Sequence, residues 1–164
     1  MITLYRVDER LIHGQTMIKL LPSYPCDAII IVDDKIAKNN QMKMVYQSVL
    51  PTNVKLYVFD TQKALRKLPE AEISKKKYYV ITKEISEYEK LLEGGYRVNR
   101  PITVSCANKK EGSVSINSGF ALLPEEIEVY NRLDDAGYNF EILTLISRVP
   151  QSWKTFRTQI KKEG

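Results

Sequence analysis

Short runs of four to six apolar residues recur along the chain, separated by longer stretches of helical spacing. Ile2-Thr3-Leu4-Tyr5 predicts a first strand, followed by the polar stretch Arg6 to Arg10. A helix is expected from about Gly14 to Leu20, ended by Pro22 and Pro25. Ala28-Ile29-Ile30-Ile31-Val32 is continuously apolar, the signature of a strand covered on both faces. Asp33-Asp34 closes it, and a helical segment is expected to about Val49. Val54 to Phe59 and Tyr78 to Thr82 predict two further strands. Asp60 or Thr61 can cap a helix over Gln62 to Leu68, and another helix should run to Glu93 and stop at Gly94-Gly95. Ile102 to Ser105 and Ser113 to Ile116 are short strand candidates. Pro124-Glu125-Glu126 opens a helix ending near Gly137, and Asn139 to Thr144 alternates as a last strand.

Strands alternating with helices imply crossover connections. The predicted class is α/β: residues 1–164 as a single domain, with an open, mainly parallel sheet flanked by helices on both faces. Ligands of such sheets bind beyond the C-terminal ends of the strands, near a switch in strand order. The loops at those ends are therefore the candidate sites: Arg6 to Gln15, Asp33-Asp34, Asp60-Thr61, Thr82-Lys83 and Asn117-Ser118-Gly119.

Composition narrows the chemistry. A chain of 164 residues can bury a core without metal or disulfide staples. The two cysteines, Cys26 and Cys106, are too far apart in sequence for a CxxC pair, and with one histidine a transition-metal site is not expected. No cofactor is expected either. No apolar run is long enough to span a membrane, and the N-terminus does not resemble a signal peptide, so a cytoplasmic protein is expected. The net charge of +5 gathers in Lys75-Lys76-Lys77, Lys109-Lys110 and the tail after Gln151, read as solvated loops and a solvated last helix. No basic stripe interleaved with aromatics and no helix-turn-helix pattern accompanies it, so nucleic acid is not an expected partner.

Histidine chemistry must run through His13, which lies between the first strand and the first helix. Unpaired amides and the dipole at a helix N-terminus favour an anion there. Arg6 and Arg10 add charge with a geometry suited to phosphate. Gly14 would allow close backbone approach and an unusual backbone conformation, and Asp8 could accept a proton from one imidazole nitrogen and so fix the tautomer. A neutral imidazole in such a setting can act as a nucleophile toward a phosphoryl group. Asp33 and Asp34 either pair with Arg6 or Arg10 or cap the next helix. Lys83 is a further phosphate candidate, and Asn117 and Ser118 could line the pocket or simply form a turn.

The stretch Arg6-Val7-Asp8-Glu9-Arg10-Leu11-Ile12-His13-Gly14-Gln15 resembles the active-site signature R-x-D-x-R-L-I-H-G-Q of the IIB subunits of the mannose/fructose/sorbose branch of the bacterial phosphoenolpyruvate-dependent sugar phosphotransferase system. All the fixed positions are present. Asp33-Asp34, Gly94-Gly95 and Asn117-Ser118-Gly119 agree in outline. The resemblance implies a protein-histidine phosphate:sugar phosphotransferase. His13 would accept a phosphoryl group on a ring nitrogen, Nδ1 in this family, from a phosphohistidine of a IIA partner. The group would pass to a sugar imported through the membrane subunits IIC and IID, with the chain held peripherally at the inner membrane face by them. Arg10 would stabilise the transferring group, Asp8 would support the loop or His13, and Gly14 and Gln15 would neighbour the phosphate. Thr82-Lys83-Glu84 departs from the family's Lys-Thr-Pro-like segment, so that only Lys83 matches. An alternative is a IIB-like regulatory or docking module that senses phosphorylation state without supporting transport.

Overall fold

The computed structural model describes residues 1–105, 107, 109–117, 120–143 and 149–163, excluding the side chains of Gln15, Thr16, Lys19, Ile116, Asn117, Gln159 and 161–163. Among these residues seven strands form the main sheet: β1 (Ile2–Val7), β2 (Ala28–Val32), β3 (Lys55–Phe59), β4 (Tyr78–Thr82), β5 (Ile102–Val104), β8 (Phe140–Ile142) and β9 (Gln151–Ser152). Their order is β3-β2-β4-β1-β5-β8-β9, parallel except for the two-residue edge strand β9. The expected open α/β sheet is thus observed. A small antiparallel hairpin pairs β6 (Val114–Asn117) with β7 (Phe120–Leu122). The β7 strand was not expected from its three apolar residues, which are too few to show a period.

Alternation along the strands divides the core between two faces. Ile30 and Val32 face the helices α3 (Thr61–Ile73), α4 (Ile85–Glu93), α5 (Pro124–Asp135) and α6 (Trp153–Glu163). Ile29 and Ile31 face the opposite layer, which includes Met17 of α1 (Gly14–Ser23) and Leu50 at the end of α2 (Asn40–Val49). All five residues of β2 are buried, as its unbroken apolar run predicts. A register irregularity between Ile2 and Leu4 lets Ile2, Tyr5 and Val7 share the first face.

Several boundaries differ from expectation. The segment after β2 is not one helix: a 3-10 turn over Ile36–Lys38 ends at Asn39, whose side chain accepts from the Met42 N–H and starts α2. Helix α3 runs on through Pro69 to Ile73, because burial of Leu68 and Ala71 outweighs the one backbone bond the proline forfeits. The tail is not simply solvated. Trp153 and Phe156 of α6 are buried in the core, and the Trp153 indole N–H donates to Asn131. Helix α4 stops where predicted, with Gly95 in the left-handed region at φ 91°. No helix among the described residues is long and apolar enough to cross a membrane.

The topology places the His13 loop. β1 lies between β4 and β5, which are joined through α4 on one face, while β1 itself leads into α1 on the other. Connections leaving a strand on opposite sides open a crevice at its C-terminal end. The Asp8 to His13 loop emerges there.

Candidate active site

β1 hands its chain to the loop through a buried polar bracket. The Asp8 N–H still pairs with the Thr82 carbonyl of β4 at 3.0 Å, and the Ser105 N–H donates to the Val7 carbonyl at 3.0 Å. Arg6 and Asp8 are only 4% and 1% exposed. Nε and Nη2 of Arg6 donate to Asp8 Oδ2 at 3.2 and 3.0 Å, and Nη2 also donates to the Ser105 hydroxyl. The other oxygen, Oδ1, accepts the Arg10 backbone N–H at 3.1 Å. Below them the Tyr88 hydroxyl of α4 accepts the Arg6 N–H at 3.0 Å and donates to the Val80 carbonyl at 2.9 Å. Burial drives the Tyr88 phenol well above its ordinary pKa, which keeps it a neutral donor.

The loop then turns sharply. The Leu11 N–H closes a turn onto the Asp8 carbonyl at 2.8 Å. Leu11 adopts φ 54°, a left-handed conformation that L-residues avoid. The side chains of Leu11 and Ile12 are buried against Met17, Ile29 and Ile31, and this anchoring maintains the strained turn. His13 follows in extended conformation as the N-cap of α1, its carbonyl accepting the Met17 N–H at 3.0 Å. Its side chain makes no capping bond, and the first turn of α1 carries no carboxylate, which favours an anion at the helix's amide donors. Among the described residues, Nδ1 of His13 and Nε of Arg10 are enclosed without hydrogen-bond partners.

Two expectations are corrected and one is narrowed. Arg6 is not open to a ligand: it is sealed beneath the loop and engaged by Asp8 and Ser105, because it is still a strand residue. Of the two roles expected for Asp8, its bonds fit support of the loop: its oxygens accept from the Arg6 guanidinium and the Arg10 backbone N–H. Gly14 has no positive φ, and a Cβ there would meet only Val49 Cγ1 at an ordinary 3.9 Å. Its missing side chain leaves room at the helix mouth and relieves no strain.

The remaining candidates divide. Arg10, His13 and the N-terminus of α1 follow one another on one short segment. The Gln15 side chain lies outside the described set, as do Ser118 and the Asn117 side chain. Lys83 is exposed just after β4 and lines a narrow crevice with Glu9 and Lys110. Asp33 accepts the Lys35 and Ile36 N–H groups, and Asp34 accepts from Thr61 and Lys90, so both fill capping roles. The Thr61 and Lys90 bonds hold Asp34 below the usual carboxylate range, while burial pushes Glu87 beside it above that range. Ser105, Tyr88 and the strain at Leu11 were missed. A tyrosine on the apolar face of a predicted helix, whose hydroxyl must find a partner, was the one available signal for Tyr88.

Comparison with known proteins adds a family context. The family described as the sorbose subfamily IIB component of the PTS system matches residues 2–164. A mannose-specific EIIAB component of Escherichia coli K12 is 26% identical over 141 residues, covering 86% of this chain and 43% of that protein. The chain thus spans less than half the length of that relative. A fructose-specific EIIB component of Bacillus subtilis is 24% identical over 161 residues, covering 98% of both chains. The IIBSor domain of the sorbose permease from Klebsiella pneumoniae shares the fold, with a TM-score of 0.85 at 18% identity over 96% of both chains.

Proposed function

The chain belongs to the sorbose subfamily of PTS system IIB components, and on that premise we propose that it is a phosphoryl carrier in sugar uptake, with His13 as the carrier. The lone pair of a ring nitrogen of neutral His13 attacks the phosphorus of a phosphohistidine on a IIA donor. The donor N–P bond breaks, and its electron pair returns to the donor imidazole. In the second step a sugar hydroxyl attacks the phosphorus, the His13 N–P bond breaks toward the imidazole, and the hydroxyl proton leaves to a base. The acceptor sugar is presented by the membrane subunits IIC and IID.

One observation carries this reading: among the described residues Nε of Arg10 and Nδ1 of His13 are enclosed without partners, and His13 is the N-cap of a helix with no carboxylate in its first turn. Arg10 supplies fixed charge to the transferring group, and the amides of α1 supply donors. The buried Arg6–Asp8 pair acts at one remove, by holding the Arg10 backbone. In the conformation seen here Nδ1 is shielded, so a donor reaches that nitrogen only after the imidazole turns outward.

Labelling from phosphoenolpyruvate through the general phosphotransferase proteins and a charged IIA tests the proposal. Acid-labile, base-stable label is expected on wild type and not on His13→Ala. Equal label on both proteins refutes it. Absence of label on wild type, with the IIA shown to be charged, favours a docking or sensing module.

A further inference from the structure

Helix α2 has no buried residue, yet its outer surface is apolar where a surface helix is normally polar. Met42, Val45 and Val49 follow one another at i, i+3 and i+7, so they form a stripe along one side of the helix. Val45 is 55% exposed, and Met44 beside it is 73% exposed. The stripe ends at the candidate active site: Val49 Cγ1 is 3.9 Å from the position of a Cβ on Gly14, the residue after His13. Ile18, 75% exposed, stands one helical turn beyond Gly14 on the same side of α1. Exposed apolar side chains gathered beside a candidate active site mark an interaction site.

The two segments that carry the stripe and Ile18 are basic, with Glu9, Asp27, Asp33, Asp34 and Asp60 at their bounds. From Arg10 to Cys26 and from Lys35 to Phe59 the sequence contains no Asp or Glu, while Lys35, Lys38, Lys43 and Lys55 lie in the second stretch. The carboxylates concentrate elsewhere, as in α4 and α5 with Glu87, Glu89, Glu125 and Glu126. Edge pairing by an added strand is hindered on this side, because the Gln47 amide already donates to the Val54 carbonyl at 3.2 Å and accepts the Leu56 N–H at 2.9 Å.

We propose that the apolar stripe Met42, Val45 and Val49, together with Ile18, is the docking face for the phosphoryl-donor protein, and that this donor presents an apolar centre ringed by carboxylates. The assignment rests on the reading of His13 as a phosphoryl carrier. The contact of Val49 with Gly14 places whatever seats here beside the His13 loop. A charged donor carries a doubly negative phosphoryl group toward a helix whose charged side chain is Lys43, with Lys35 and Lys38 just before it, which speeds encounter. Once the group has moved to His13 the attraction is reduced and the spent donor leaves. A lipid surface seated on the same face would cover His13 and block its charging.

The test compares Val45→Glu and Ile18→Glu with a control, Ile73→Glu, placed at an 88% exposed apolar position on α3. Each is labelled in two ways: by the cognate IIA protein charged from phosphoenolpyruvate, and by phosphoramidate, a small donor that needs no docking. The two face variants are expected to raise KM for the charged IIA at least about tenfold with kcat nearly unchanged. Their labelling by phosphoramidate, and all behaviour of Ile73→Glu, should match wild type. An unchanged KM overturns the proposal. So does an equal loss with phosphoramidate, or a loss confined to binding of phosphatidylglycerol vesicles, which would assign the face to the membrane. Wild type that neither donor labels refutes the carrier reading itself, and the docking assignment falls with it.

Discussion

The guanidinium of Arg6 and the carboxylate of Asp8, two residues apart on the same strand end, form an ion pair of 3.0 Å that is almost completely removed from water. Its second oxygen holds the backbone of Arg10, so a buried charge pair becomes the floor of the His13 loop. Removing one partner of such a pair leaves an uncompensated charge in the interior. Asp8→Asn is therefore expected to destabilise the protein by about 3–5 kcal/mol, read as a lower urea midpoint. Wild-type stability in this variant would mean that water reaches Arg6.

Arg10 should behave in the opposite manner. Its side chain lies beyond the strand, and its Nε satisfies no structural partner among the described residues. Arg10→Ala is expected to leave the urea midpoint within the spread of surface substitutions while slowing phosphoryl transfer tenfold or more, about 1.4 kcal/mol or above. Parallel urea titration and rapid-quench labelling separate the two effects. Normal transfer by this variant would remove Arg10 from the machinery.

Leu11 offers a test of strain. In ordinary sites glycine is less stable than alanine by roughly 0.5–1 kcal/mol. At φ 54° a non-glycine residue carries a penalty of about 1–2 kcal/mol. Both Leu11→Ala and Leu11→Gly lose a buried side chain, at a cost of about 2–5 kcal/mol for alanine. The order should then invert, with Leu11→Gly the more stable of the two by denaturant melts. The usual order would show that the turn relaxes once the leucine is gone.

Gly14→Ala distinguishes conformation from access. The backbone there is ordinary and a Cβ meets only normal contact, so the folded protein should be as stable as wild type or slightly more so. Transfer should nevertheless slow if the phosphoryl group packs against the bare α1 terminus. Calorimetry and single-turnover labelling of the same preparation read both quantities.

Asp34 links stability to pH. Its hydrogen bonds from Thr61, joined by Lys90, lower its folded pKa. A depressed carboxylate contributes its stability above the unfolded value of about 3.9 and loses it as pH falls through the folded value. The Tm difference between wild type and Asp34→Asn should be largest at neutral pH and close below that range. Glu87 has the opposite sign: burial raises it, so its ionisation opposes folding as pH rises through the folded value, and Glu87→Gln should narrow its Tm gap on acidification in the reverse sense. A gap for Asp34→Asn that is independent of pH would refute the linkage.

Much of this protein can be read from its residues in order. The apolar period distinguishes strands from helices, and the unbroken run Ala28 to Val32 announces a strand covered on both faces. The placement of His13 between a strand and a helix follows from the same pattern, and so does the stop at Gly94-Gly95. These features are local, set by backbone propensity and by which side of an element must avoid water. What separates Arg6 from Arg10 is not local. In sequence they are equivalent cations around Asp8, but β1 continues to Val7, so Arg6 is carried into the sheet and Arg10 is left at its mouth. The groups that hold Arg6 arrive from far along the chain: Ser105 at the end of β5, 99 residues away, accepts from its guanidinium, and Tyr88 of α4, 82 residues away, accepts from its backbone N–H. Periodicity indicates that a side chain faces inward; only the packed sheet determines which distant polar group meets it there, because a buried charge persists only where the fold supplies its partner.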